Sequence, residues 1–371
     1  MQPRSTEPCG AQRLTASLSP LSTPTETELP APYGLWMEIA SSLPQLIASR
    51  QLRSRLHQVP SRIPGVLGQK SMESCKHGKV LPRNLAVPFW EVSQRLGLPP
   101  ILSHADFVLA NWKRKTPGRN LDPIISLPGG ESLRGFILVT LLVEKAAVPG
   151  IKVLRSRKPA GARVRALPRC CHLSAQPLHR EQTGPSPFMA LPPLLSWRDN
   201  PAMPHGLVYQ GVSEEPLAYS GGSAAQSSVL HAFDELLGIR HSVKTPGHAA
   251  KEELMRDYMP PPHRAFVEEI QRAPSLRQHV LSSGNGKLCA AFNQCVSALT
   301  DFRTHHIAIV TKYITTAAAK AKAGRGEPAD GAGPPPGKPP SLLEAKGTGG
   351  SHIFRFLKSV RDTTREGMIS A

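Results

Sequence analysis

A long helical pattern across residues 288–322 decides more of the fold than any other part of the sequence. Apolar residues recur there at the spacing of an α-helix. One face of this helix carries Leu299, Phe302, His306, Ile309, Val310 and Tyr313. The pattern predicts a long amphipathic helix that buries this face.

Helical spacing also occurs in shorter stretches of the chain. These stretches are residues 33–57, 106–112, 135–147, 223–237 and 353–361. The helix at 223–237 has a clear beginning and end. Ser223 and Gln226 form the S-x-x-Q pattern of a capping box, and Gly238 suits the residue that follows a helix.

The net charge of +18 suggests a nucleic-acid-binding protein, but the charge is not arranged as such a protein needs. No helix carries a long basic stripe, and much of the excess lies between Lys152 and Arg198, where Glu181 is the only acid. We therefore expect no nucleic-acid partner.

The remaining composition favours a soluble protein of the cytoplasm. None of the six cysteines forms a C-x-x-C pair, which is typical of a reducing compartment. No run of eighteen apolar residues occurs, and the N-terminus lacks the apolar core of a secretory signal. The sequence predicts no membrane association.

Three segments interrupt the helical patterns. Residues 1–28 are rich in Ser, Thr and Pro and are predicted to be a disordered leader. Residues 324–340 are rich in Gly and Pro and are expected to form a mobile loop. Residues 152–195 are rich in Arg and Pro, with no lasting period. This segment is either a disordered insertion or not authentic coding sequence, and its composition predicts that it stays in solvent.

Three positions could carry chemistry. His306 lies between Phe302 and Val310 on the apolar face, so it is either a buried core histidine or an axial ligand of haem iron. Arg303, one turn earlier, would suit a haem propionate, and His305 points about a quarter-turn away.

The other two positions are rich in glycine. Gly222 and Ser223 form either an ordinary helix cap or an anion site at a helix N-terminus. Thr348, between glycines, lies either in a close approach to a ligand or in a flexible turn. The sequence contains no G-x-S-x-G, H-E-x-x-H, P-loop or dinucleotide motif, so common hydrolase and nucleotide-enzyme classes lack support.

Taken together, these residues resemble the indoleamine 2,3-dioxygenase family. The matching stretches run collinearly over most of the chain and include VLPRNLAVPF, VLANWK, PGGESLRGFILVTLLVE, DNPAMPHGLVYQGV, YSGGSAAQSSVLHAFDELLGIRH, DYMPPPHRAF, HHIAIVTKY, LEAKGTGG and FLKSVRDTT.

The resemblance implies an all-α fold, with a small N-terminal helical domain packed on a large helical haem-binding domain. The small domain would span residues 29–128, with a degenerate part at 60–80. The large domain would span 129–371, interrupted by the non-matching segment 152–195.

The resemblance also implies a reaction. Haem b would bind O₂, and the indole ring of L-tryptophan or a related indoleamine would be opened. Tryptophan would give N-formylkynurenine in the first step of the kynurenine pathway, which is linked to immunity. An electron donor would keep the iron ferrous, no catalytic acid or base would be needed, and the protein would act as a monomer.

Site residues follow from the same resemblance. His306 matches the iron ligand, Arg303 the propionate partner and Asp234 an acid near the proximal side of the haem. The segment Gly222, Ser223 and Ala224 would lie beside haem and substrate, and Thr348 would hold the amino-acid end of the substrate. The distal pocket would be lined by His104, Phe107, Val108, Phe136, Ile137 and Thr140. Ile137 and Thr140 indicate the second vertebrate branch of the family, which is generally weaker on tryptophan.

The sequence departs from the family in two regions. Residues 65–79 replace an apolar helix. The family's arginine for the substrate carboxylate would fall near Pro192 and Pro193, where no arginine stands in register. We therefore expect this chain to be a poor dioxygenase, and the alternative is a catalytically weak or inactive haem-binding or signalling protein.

Overall fold

The structure is a computed structural model that describes residues 34–58, 80–114, 121–127, 130–156, 159–168, 203, 205–241, 255–323 and 353–370. The predicted leader at 1–28, the predicted loop at 324–340 and Thr348 lie outside these residues.

Helices dominate the described chain, which confirms the all-α prediction. They are α1 (Gly34–Ser41), α2 (Leu43–Ala48), α3 (Leu52–Gln58), α4 (Arg83–Leu96), α5 (Gly130–Leu154), α6 (160–168), α7 (Ser228–Leu237), α8 (Pro261–Arg272), α9 (Leu276–Ser283), α10 (Gly286–Ala323) and α11 (Ile353–Glu366). The strands that the structure describes have two residues each: β1 (Val80–Leu81), β2 (Lys113–Arg114), β3 (Leu121–Asp122) and β4 (Val208–Tyr209). β1 pairs with β4 in parallel, and β2 pairs with β3 antiparallel.

The long helix α10 lies along the main hydrophobic core, as its sequence pattern predicts. Phe292, Val296 and Leu299 of α10 are buried there. Full burial of one such side chain contributes about 1.5–3 kcal/mol to folding. The C-terminal helix α11 packs on α10 further along, where Phe354 and Leu357 contact Val310.

Helix α5 is longer than the sequence pattern predicts. Leu133, Ile137 and Leu141 recur every four residues and are buried, and the same side of the helix continues to Ile151 and Leu154. Pro149 lies within this helix and is exposed. The extension therefore rests on apolar packing beyond the proline.

Part of the irregular segment 152–195 is ordered, which corrects the expectation that it stays in solvent. Residues 160–168 form α6, and Val164 and Leu167 are fully buried in the main core. Arg165 and Ala166, between them, face solvent. A short helix can thus supply a core face with only two apolar residues, while Arg165 stays on the exposed side and Arg163 is half-buried.

The predicted helix at 223–237 consists of two elements. The predicted capping box is present: Ser223 and Gln226 cap a 3₁₀ turn at Ala224–Gln226. A second cap follows, because the Ser227 side chain accepts a hydrogen bond from the N–H of Leu230 and begins α7. Gly238 ends α7 in the left-handed conformation, at φ 67°, as predicted.

Two other predicted helices also differ in form. The stretch 33–57 is divided into α1, α2 and α3 rather than forming one helix, and Arg50 between α2 and α3 has a positive φ of 59°. The stretch predicted at 106–112 forms a single π-helical turn at Ala105–Leu109, called the π-turn below. Among the described helices, none is long and apolar enough to cross a membrane.

Candidate functional site

His306 lies on α10, where its side chain is half-buried. Burial, and then the positive charge of Arg303, lowers the pKa of His306 to about 4. The ring is therefore neutral near pH 7 and keeps a free lone pair. No residue that the structure describes forms a hydrogen bond with this ring. By contrast, Nδ1 of His305 is 2.8 Å from the carbonyl oxygen of Asp301 in its own helix.

Arg303, one turn before His306, joins three helices. Its Nη2 donates to Oδ2 of Asp234 on α7 at 2.6 Å, and its Nη1 donates to the hydroxyl of Thr364 on α11. Arg303 is buried. The predicted site residues Arg303 and Asp234 are thus in direct contact, across sixty-nine positions of sequence.

Asp234 has a second partner that sequence reasoning missed. Nε2 of His241 is 3.1 Å from the same Oδ2 atom. Burial alone would raise the pKa of Asp234, but Arg303 and His241 outweigh it and lower this pKa to about 2. Asp234 is therefore ionised, and its buried Oδ1 atom has no hydrogen-bond partner among the residues that the structure describes.

An apolar cavity lies between α5, α7 and α10. It is lined by Val143, Ala147, Val229, Leu230, Phe233, Leu299 and Phe302. Leu299 and Phe302 share the apolar face of α10 with His306, so the cavity and the imidazole lie along one side of the helix.

On another side of the core, the π-turn meets residues 221–224, called the glycine segment below, which precede α7. A side chain on Gly222 would overlap the Phe107 ring, so the turn and the segment can approach this closely only because residue 222 is glycine. The N–H groups of Ser223 and Ala225 are engaged by the capping box. An anion site at these two N–H groups is therefore not supported.

The residues predicted to line the distal pocket differ in exposure. His104, Phe107, Val108 and Ile137 are buried, and Phe136 and Thr140 are half-buried. Gly222 and Ser223 are half-buried, and Ala224 is exposed. The Thr140 hydroxyl donates to the carbonyl of Phe136 at 2.8 Å, within α5.

His104 belongs to a buried polar cluster that the sequence did not predict. Oε1 of Glu144 is 2.9 Å from Nε2 of His104 and 2.6 Å from Oγ of Ser227. Nearby, Nδ1 of His263 is 3.2 Å from Oγ of Ser228. In the sequence, the only sign of this cluster is that Glu144 lies within the apolar stripe of α5. Its partners are distant in sequence, so the pattern does not identify them.

Comparison with known proteins gives the family. The indoleamine 2,3-dioxygenase family model matches residues 66–172 and 180–367. The chain is 49% identical to indoleamine 2,3-dioxygenase 2 of Homo sapiens, over 92% of this chain and 91% of that protein. It is 38% identical to indoleamine 2,3-dioxygenase 1 of Mus musculus, over 92% of this chain and 91% of that protein. It is also 32% identical to a myoglobin of Haliotis madaka, over 93% of this chain and 95% of that protein.

The chain belongs to the indoleamine 2,3-dioxygenase family, which confirms the resemblance drawn from the sequence. Its relatives in this family are oxidoreductases of the dioxygenase class. Identity is higher to the human type-2 protein than to the mouse type-1 protein, in agreement with the branch that Ile137 and Thr140 indicate.

Proposed function

We propose that this protein binds haem b through His306 and opens the indole ring of L-tryptophan, or of a related indoleamine, with O₂. The observation that carries the proposal is the state of His306: a half-buried, neutral imidazole with no hydrogen-bond partner among the described residues. A neutral histidine nitrogen is the usual proximal ligand of haem iron.

The residues beside His306 fit the rest of a haem group. Arg303 has five N–H donors, of which the contacts with Asp234 and Thr364 engage two. We infer that Asp234 fixes the guanidinium and leaves another donor for a haem propionate. His241 in turn holds Asp234 in place.

The substrate would bind on the distal side, against Phe107, Phe136, Thr140 and the segment that begins at Gly222. Apolar walls there would exclude water and hold the flat indole ring. Thr348, which lies outside the described residues, would hold the amino-acid end of tryptophan.

Haem, when bound, supplies the oxygen chemistry, and both atoms of O₂ end in N-formylkynurenine. The protein's own residues bind, orient and exclude water, so no side chain is assigned as a catalytic acid or base. An electron donor is needed to keep the iron ferrous. We expect a monomer of the cytoplasm that serves the kynurenine pathway.

The test compares two neighbouring histidines. The full chain, His306→Ala and His305→Ala are loaded with haem, and the haem content and Soret band of each are recorded. We expect His306→Ala to lose the proximal-ligand spectrum, because alanine has no side-chain nitrogen that could bind the iron. We expect His305→Ala to resemble the parent, since its ring bonds to its own helix. An unchanged spectrum in His306→Ala would rule out the assignment.

A second candidate is a haem protein that binds O₂ but does not convert tryptophan. Two observations favour it: one relative is named a myoglobin, and no arginine stands in register at Pro192 and Pro193. The two candidates differ in product. Ferrous, haem-loaded protein is mixed with tryptophan and O₂, and N-formylkynurenine is measured. A stable spectrum of the oxygen-bound protein without product would favour this candidate.

A further inference from the structure

Glu144 is a carboxylate buried in the middle of the helical core. Its side chain is 4% exposed and that of its partner His104 is 3% exposed. Ser227 donates to the same Oε1 atom from the position that caps α7. His263 of α8 faces the pair and forms its own hydrogen bond with Ser228. One carboxylate thus connects α5, the residue before the π-turn and the beginning of α7.

The side chain of Gln226 continues this connection. Its Oε1 atom accepts hydrogen bonds from the backbone N–H groups of His104, at 2.9 Å, and Ser223, at 3.3 Å. Its Nε2 atom donates to the carbonyl of Gly221 at 2.9 Å. Gln226 therefore ties the residue before the π-turn to the glycine segment.

The residues held in this way carry the proposed substrate pocket. Phe107 is in the π-turn, and its ring lies against Gly222. On α5, Phe136, Thr140 and Glu144 follow one another at four-residue intervals and therefore lie on one side of the helix. The polar cluster is thus attached to all three pieces of chain that would surround the indole ring.

Stability alone does not account for such a cluster. Removing a carboxylate and an imidazole from water is costly, and apolar residues of similar volume are often as stable or more stable at such positions. A buried polar network does fix one geometry, because each member must keep its partners.

We propose that Glu144, His104 and Gln226 are positioning residues that set the shape of the substrate pocket by fixing the π-turn and the glycine segment against α5. This inference rests on the proposed function, since it takes the pocket between these elements as the indole site. None of the three residues need touch the reacting atoms.

The test replaces Glu144 with Gln, which keeps the size of the side chain and removes its charge. The control is Glu131→Gln in the first turn of the same helix, where the side chain is 87% exposed. Hydrogen exchange is measured on the full chain without haem. We expect exchange in 103–110 and 221–226 to rise about tenfold in Glu144→Gln, because loss of a charge-assisted hydrogen bond frees both segments. Exchange in α9 should stay as in the parent.

The second measurement is kinetic, on haem-loaded protein with tryptophan. We expect Glu144→Gln to raise KM about tenfold while kcat stays within about twofold, as loss of substrate positioning predicts. A purely structural defect would instead lower haem content and kcat together.

The outcomes separate this inference from the proposed function. Exchange in both segments equal to that of Glu131→Gln, or a rise spread equally over α9, would overturn the positioning role. An unchanged KM in an active enzyme would also overturn it. If the parent chain makes no N-formylkynurenine but Glu144→Gln still loosens both segments, the proposed function fails and the structural coupling stands.

Discussion

Arg303 and Asp234 form an ion pair, 2.6 Å between Nη2 and Oδ2, that joins α10 to α7 one turn before His306. Both side chains are mostly buried, with exposed fractions of 9% and 13%. The pair therefore orients the segment of α10 that presents His306. Because both residues belong to the proposed haem site, this contact connects the stability of the fold with the function.

Replacing Asp234 with Asn should destabilise the haem-free chain by about 3 kcal/mol, because a mostly buried Arg303 would lose its counter-charge. Denaturant unfolding measures this change. The control is Asp257→Asn, in the exposed pair between Arg264 and Asp257. That variant should change stability by less than about 1 kcal/mol, since exposed ion pairs contribute little. Equal losses in the two variants would contradict the prediction.

The haem-free chain should also become less stable as the pH decreases, because of His263. Burial lowers the pKa of His263 from 6.5 to about 4, although the facing Glu144 partly offsets burial and His104 adds to the lowering. Between pH 6.5 and pH 4 the unfolded chain then binds more protons than the folded chain, so the free energy of unfolding decreases as pH decreases. The full effect is on the order of 3 kcal/mol.

Urea unfolding at intervals from pH 7.5 to pH 4.5 measures this dependence. His263→Asn should reduce the slope between pH 6.5 and pH 4 without abolishing it, because burial also lowers the pKa of His306 to about 4. His279→Asn, at an exposed position of α9, should leave it as in the parent. A slope unaffected by His263→Asn would show that other groups cause the acid sensitivity.

The contact between Gly222 and Phe107 gives a third prediction. Gly222→Ala should destabilise the chain by about 1–3 kcal/mol, because the added methyl group overlaps the Phe107 ring and forces it to move. Near-ultraviolet circular dichroism and thermal unfolding report the change. Gly286→Ala, at the first residue of α10 where the space is open, is the matched control and should be neutral or slightly stabilising. Tolerance of both substitutions would mean that the turn and the segment are not packed as described.

Local signals in the sequence predicted much of the helical frame. The capping box at Ser223 and the terminating Gly238 depend on neighbouring residues, and both are present in the structure. Ser227 was not recognised as a second cap, because a serine within a helical stripe is equally compatible with the helix interior. The π-turn at Ala105–Leu109 has the same apolar pattern as one turn of α-helix, so sequence alone did not separate the two.

Contacts between distant residues explain what sequence reasoning missed at the site. Glu144 and His104 are forty positions apart, and an acid within an apolar helical stripe does not by itself identify its partner. His241 follows Asp234 by seven residues, beyond the end of α7, and no local rule predicts that its ring turns back to the carboxylate. The pairing of Arg303 with Asp234 was also unpredicted, although both residues were identified through the family resemblance.

The last prediction concerns α6, within the segment that the sequence pattern assigned to solvent. Leu167 and Val164 are fully buried in the same core as α5, α7 and α10. Leu167→Ala should therefore cost about 2–5 kcal/mol, the range for a large-to-small change in a packed core. Arg165→Ala, on the exposed side of the same helix, keeps helix propensity and should change stability by less than about 0.5 kcal/mol. Denaturant unfolding of the full chain distinguishes the two cases. If α6 were detached from the domain, both variants would unfold like the parent, and the segment would contribute nothing to the core that supports His306.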